Sequence, residues 1–214
     1  MILEGIVTTL CPDGRVNIAP MGAVVDDDPP RAIRRMELRP YQGAVTLANL
    51  VRTRQGVFHV TDDVELMARA ALNRLEALPR LIAAEAVEGW ILADACRWYA
   101  FRVVKVDASR ERAALEAEVV AEGQLRDFFG LNRAKHAVVE AAILATRVER
   151  ISAEEIRESF ARLAVLVEKT GGAAERRAFA FLTEYVEWPG SGTSNFNRRR
   201  HRRSTRGNAI PGDD

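Results

Sequence analysis

Two short stretches hold residues whose types and spacing could do chemistry. In "PYQGAVTLANLVRTR" a glycine and a threonine, Gly43 and Thr46, precede a short helix. Unpaired N–H groups at a helix start, with a hydroxyl beside them, make an anion site. The alternative for Thr46 is a plain N-cap, worth about 1 kcal/mol to the helix. In "VNIAPMGAVV", Val16 to Val25, a strand-like run carries Pro20 and Gly22 in its middle. Proline cannot donate to a ladder and glycine gives a sheet no side chain to pack. The backbone there is approached by something other than a neighbouring strand, or it forms a bulge at a barrel edge.

Other polar residues carry less chemistry. His59 alternates with Phe58 and Val60 in "GVFHVTDD", as a packed or rim histidine does. Asp62 and Asp63 look like paired carboxylates, but they precede a helix, where N-capping and the helix dipole already account for acids. Asn132, His136, Glu140 and Arg147 fall near one helix face, either a solvated face or the lining of a substrate pocket. There is no Ser-His-Asp order, no P-loop and no metal-ligand cluster, so no catalytic side chain is assigned. Cys11 and Cys96 stand far apart without ligand neighbours and read as free thiols rather than a zinc site or disulfide scaffold.

These residues need a scaffold, and 214 residues with 48% hydrophobic content can bury one. The opening "MILEGIVTTL" lacks a basic n-region and is interrupted by Glu4, Thr8 and Thr9, so a soluble, cytoplasmic protein is expected. The whole chain is +1, but residues 189–214 hold six Arg and two Asp, which leaves a mildly acidic body. That tail has almost nothing apolar to bury and should be disordered. Its "RRRHRR" run suits a phosphate backbone, but without base readout a solvated extension is the simpler reading.

Up to about residue 123 the apolar runs are short, often β-branched and separated by turn signals, as a barrel or sandwich requires. "ILEGIVTTL" and "RVNIAPMGAVV" flank "CPDG" as a hairpin. "AIRRMELRP", "GVFHVTD", "EGWILADACRWYAFRVVKVDAS" and "RAALEAEVVAEG" supply further strands. Helices are expected from about Thr46 to Arg54 and over "DVELMARAALNRL", where Leu66, Ala70 and Leu75 make an apolar face. After Gly123 three helical patterns follow, the second opening with Ser152 and Glu155 at capping-box spacing and ending at Gly171. The order is α+β: a β-rich domain at 1–123, a helical domain at 124–188 and the tail at 189–214.

"TTLCPDGRVNIAPMGAVV" followed by "RPYQGAVTLANLVRTRQGVFHVTDD" resembles the FMN-binding split-barrel proteins of the flavin reductase type, related to the pyridoxamine-phosphate-oxidase barrel. Together with "NRAKHAVVEAAILATR" these pieces are similar to a family of uncharacterised FMN-binding split barrels with a helical C-terminal extension. The resemblance covers residues 1 to 188. It implies non-covalent FMN whose isoalloxazine ring lies against Asn17, Ala19, Pro20, Met21 and Gly22. It implies a phosphate at Thr46 with Tyr41 and Asn49 as neighbours, and Thr9 among the cofactor residues. Arg35 or Arg39 would neutralise the phosphate. A buried flavin needs an apolar cradle and backbone groups aimed at its polar edge, which a strand freed by Pro20 and Gly22 provides. The resemblance further implies a homodimer with FMN near the interface, and electron or hydride transfer with a small-molecule donor or acceptor. A flavin-binding accessory protein of tetrahydromethanopterin-dependent C1 metabolism is the alternative of a different class, and nucleic-acid binding through the arginine tail is a third.

Overall fold

The "CPDG" turn closes the first hairpin as its residues require. Gly14 donates to the Cys11 carbonyl at 3.0 Å and takes a φ of 80°, which a Cβ would disfavour, while Pro12 sits at the first central position. The turn joins β1 (Ile2–Leu10) to β2 (Val16–Val24) in a computed structural model that describes residues 1–26 and 33–187. The basic tail lies outside the described residues.

Among the described residues, β3 (Arg35–Leu38), β4 (Gln55–Val60), β7 (Arg97–Asp107) and β8 (Ala114–Gln124) complete a closed antiparallel barrel in the order β1-β2-β3-β8-β7-β4. β4 closes it by returning to β1, with Ile6 opposite His59 and Thr8 opposite Val57. β5 (Leu81–Ala83) and β6 (Trp90–Leu92) form a small separate sheet. At three residues, β5 is too short to show a period in the sequence.

Strand alternation sends one set of side chains into the barrel, among them Val7, Ala23, Met36, Leu38, Phe58, Phe101 and Leu115. Helix α1 (Val45–Thr53) adds Leu47 and Leu50 to that interior. The opposite set includes Ile6 and Ile18, which join a second core outside the barrel wall. That core is made by α2 (Val64–Ala71), α3 (Arg133–Ala145), α4 (Ala153–Thr170) and α5 (Ala173–Glu187), through Met67, Val138, Phe160 and Leu182 among others. The fold is α+β, as the order of elements implies. α2 lies between the fourth and fifth barrel strands in sequence, before β7 and β8, yet packs with the C-terminal helices. It stops at Ala71, short of Leu75, which still packs against the same core.

The capping chemistry follows the sequence. Asp63 caps α2 by accepting from the Leu66 amide at 2.9 Å, and Ser152 caps α4 by accepting from Glu155 at 3.2 Å. Gly5 marks the tightest approach in the barrel wall: a Cβ there would fall against the His59 carbonyl and within 2.6 Å of the Phe58 ring. Both are buried and cannot yield. Gly5→Ala is therefore expected to cost about 1–3 kcal/mol, read as a lower denaturant midpoint, and an unchanged midpoint would contradict that packing.

Candidate functional site

The proline in β2 is explained by hydrogen-bond parity. Backbone bonds pair Met1 with Val25 at one end of the hairpin, 2.8 and 2.9 Å, and Cys11 with Arg15 at the other, 2.8 Å. Bonded and non-bonded pairs alternate in an antiparallel ladder, and the register between these ends is unbroken. Gly5–Met21, Val7–Ala19 and Thr9–Asn17 are then the bonded pairs, while Ile18, Pro20 and Gly22 turn their backbone groups away from β1. The absent N–H of Pro20 interrupts no bond to β1. β3 meets β2 only at Ala23 and Val24. Among the described residues no strand covers the far edge of β2 from Val16 to Gly22. The unbroken register also excludes a bulge there.

Asn17, Ala19 and Met21 share the face that looks into the barrel, and all three are half-buried. Asn17 starts a polar knot at the barrel end. Its Nδ2 donates to Thr9 Oγ1 at 3.2 Å and to Thr46 Oγ1 at 3.0 Å, and Asn49 Nδ2 donates to Thr9 Oγ1 at 3.0 Å and to Cys11 Sγ at 3.4 Å. Thr9, Thr46 and Asn49 are almost fully buried. The structure thus brings Thr9, Asn17, Thr46 and Asn49 together.

Thr46 is not an N-cap. Ala44 holds that position without a side-chain bond, and the first helical bond runs from Ala48 N to Ala44 O at 3.1 Å. The N–H groups of Val45, Thr46 and Leu47 are left without intrahelical partners, as at any helix start. Tyr41 belongs to the same turn, since its carbonyl accepts from Ala44 N at 3.1 Å.

Arg35 and Arg39 are engaged elsewhere, with Glu118 at 2.9 Å and with Glu37. The cations beside Tyr41 are others. Arg112 donates to Tyr41 Oη at 2.6 Å with its guanidinium 4.1 Å from the ring centroid, and that of Arg150 lies 5.3 Å from the same centroid. The Arg112 hydrogen bond, then the charges of Arg112, Arg147 and Arg150, hold the phenol below its ordinary range, although burial pushes the other way. Arg112 comes from one loop and Arg147 and Arg150 from another, both far from Tyr41 in the chain, so no local pattern in the sequence marks them.

The remaining candidates are structural. His59 is fully buried: its Nδ1 lies 3.0 Å from the Ile6 carbonyl, and its Nε2 accepts from Leu92 N at 3.0 Å. Desolvation lowers its pKa to about 4. Asp62, unlike Asp63, caps no helix; it accepts from the Arg126 guanidinium and from Phe129 N at 3.2 Å. Burial would raise its pKa, but Arg126, the Phe129 amide and Lys135 outweigh this and hold it below the usual range. Asn132 caps α3, accepting from Ala134 and Lys135 amides at 2.9 and 3.1 Å. His136, Glu140 and Arg147 of the expected polar stripe are exposed, and Cys11 and Cys96 are free thiols.

Comparison with known proteins gives the architecture relatives. An FMN-bound protein of Methanosarcina mazei, MM1853, aligns with a TM-score of 0.72 at 23% identity over 86% of this chain and 94% of its own. At that identity the likeness is one of fold, an FMN-binding barrel with helices. Flavoredoxin of Methanosarcina acetivorans aligns with a TM-score of 0.49 at 12% identity, over 57% of this chain and 68% of its own. The Pseudomonas fluorescens 2-nitrobenzoate 2-nitroreductase NbaA aligns with a TM-score of 0.45 at 21% identity, over 56% and 64%. No curated protein matches in sequence. Residues 3–126 match the N-terminal domain, and residues 132–184 a second part, of the protein family of unknown function DUF447. The chain therefore belongs to the DUF447 family.

Proposed function

We propose that this chain is a flavoprotein that holds FMN without a covalent link and acts as an oxidoreductase. The observation that carries the reading is the uncovered edge of β2 beside the side-chain-uncapped start of α1. Backbone groups of Ile18, Pro20 and Gly22 facing away from β1 suit the polar edge of an isoalloxazine ring. Half-buried Ala19 and Met21 supply apolar surface next to it. The helix start and the Thr46 hydroxyl, which accepts from Asn17 and keeps its own proton to donate, suit the phosphate. The FMN-bound relative of the same fold supports the same ligand. When bound, FMN supplies the hydride or electron transfer, and the chain's residues position it and set its electrostatics.

The working unit in this reading is a cytoplasmic homodimer with FMN near the interface. Phe128, Phe129 and Leu131 expose apolar surface that a second subunit would cover, at 47%, 90% and 88% exposure. Among the described residues no helix is long and apolar enough to cross a membrane.

Thr46→Val tests the site. It keeps the shape and removes a hydrogen bond to a charged group, so FMN affinity should fall on the order of 10 to 150-fold, about 1.5–3 kcal/mol. Riboflavin, which lacks the phosphate, should scarcely change. Equal weakening of both, measured by fluorescence quenching, would leave Thr46 as only a tie between α1 and β2. Bleaching of the bound flavin by NADH or NADPH separates an oxidoreductase from an accessory flavin-binding protein.

A further inference from the structure

We propose that Arg112 and Arg150, gathered on Tyr41 from the β7–β8 loop and the α3–α4 connection, complete the cofactor site by binding the flavin's phosphate monoester, with Arg147 of the same connection adding its charge. The C-terminal part of the chain then contributes directly to a ligand held mainly by the barrel. This inference rests on the function proposed above.

The placement is built rather than incidental. Tyr41 bridges to Arg112 in the backbone, and the next residue, Gln42, ties the turn to the same hairpin. Gln42 N donates to the Glu111 carbonyl at 3.0 Å, and its Nε2 donates to the carbonyls of Ala108 at 2.7 Å and Arg110 at 3.1 Å. The β7–β8 loop is thereby fixed against the turn that leads into α1. The α3–α4 connection brings Arg150, whose amide bonds the Arg147 carbonyl at 2.8 Å in a tight turn.

The local charge is positive. Arg150 meets one carboxylate, Glu111 at 3.1 Å, and both side chains are largely exposed. Arg112 and Arg147 have no carboxylate partner among the described residues. Two guanidiniums pack on one phenol and share one exposed acid, Glu111, so the cluster keeps an excess of positive charge that favours an anion beside it. The phenol of Tyr41 fixes Arg112 through its hydroxyl and offers its ring face to two guanidiniums, which orients them without neutralising them. A phosphate monoester carries close to two negative charges near neutral pH and accepts the forked, charge-assisted bonds that arginine gives. The Tyr41 carbonyl accepts from Ala44 N at 3.1 Å, so the cluster stands on the turn that leads into α1, where the flavin phosphate is proposed to lie.

The test compares FMN with riboflavin on the full chain and on the double variant Arg147→Gln/Arg150→Gln, by fluorescence quenching at low and high salt. The side chains are exposed, so the variant should keep its melting temperature. FMN affinity should fall about tenfold or more, its salt dependence should shrink, and riboflavin should be unaffected. Tyr41→Phe keeps the ring but frees Arg112, and should produce a smaller loss in the same direction. A double variant that retains the wild-type preference for FMN overturns this inference and leaves the proposed function standing. So does a variant that binds FMN normally but loses a preference for NADPH over NADH, because the arginines would then read the phosphate of a second substrate. A wild-type chain that binds neither flavin overturns both.

Discussion

Acidification from pH 6.5 to about 4 is expected to remove about 3 kcal/mol of folding stability through His59 alone. The imidazole is neutral and fully buried, with Nε2 accepting from Leu92 N and Nδ1 facing the Ile6 carbonyl. Protonation would set a second N–H against the Leu92 amide with no water to compensate. Burial places the folded-state pKa at about 4, below the ordinary 6.5. Above 6.5 neither state is protonated and the group contributes nothing to the pH dependence. As the pH falls below 6.5 the unfolded chain binds a proton that the folded chain refuses, so stability falls until the folded pKa is reached. At about 1.4 kcal/mol per pH unit this gap amounts to the stated loss. Asp62 and Glu175 act lower. Burial alone would raise both, but their cationic and amide partners hold them below the usual range, so their stabilisation is present above about 4 and is lost on further acidification. Denaturant titrations at pH 7, 6 and 5 sample the His59 window while staying above that of the carboxylates. His59→Gln should start from lower stability but flatten the slope between pH 6.5 and 5, and a wild-type protein equally stable at pH 7 and 5 would refute the assignment.

Asp62→Ala is expected to cost about 3 kcal/mol, against about 1 kcal/mol for Asp63→Ala next to it. Asp63 satisfies one helix amide, and water can replace it. Asp62 is 7% exposed and joins segments far apart in the chain: the Arg126 guanidinium, the Phe129 amide, and Lys135 Nζ, which donates to its backbone carbonyl at 2.8 Å. Lys135 donates onward to Glu175 Oε1 at 2.7 Å, and Glu175 Oε2 accepts from Gly172 N at 2.9 Å. Removing the carboxylate strands a cation and an amide near the junction of barrel and helices. The figure sits at the lower end of the range for broken buried pairs because Arg126 is 39% exposed and keeps part of its water. Equal midpoint shifts for the two alanine variants would show that Asp62, too, serves only the start of α2.

Much of this architecture is legible one residue at a time. Pro12 and Gly14 specify the hairpin, Ser152 and Asp63 mark helix starts, and the change of period after Gly123 separates strands from helices. Pro20 and Gly22 signal an unpaired backbone, and the register shows why: parity directs Pro20 away from β1 and β3 arrives only at Ala23. The misses have one physical cause. Asp62 and Asp63 look alike in sequence, but only tertiary placement gives one a helix amide and the other an arginine 64 residues away. Likewise the nearest cations in sequence, Arg35 and Arg39, are held by glutamates, while the arginines at Tyr41 arrive from loops more than 70 residues downstream.

The position of α2 also constrains how the chain can be made. Its apolar face packs against α3 and α5, yet 111 residues separate Ala71 from Leu182. At about 5–20 residues per second, a ribosome takes roughly 6–22 s to supply that partner. Until then Val64, Met67 and Ala68 have Ile6 and Ile18 of the barrel, and later α3, to pack against, but the α5 side of the core stays open. This is the window in which a holdase would bind it, and in which slow codons after residue 71 would favour aggregation over assembly.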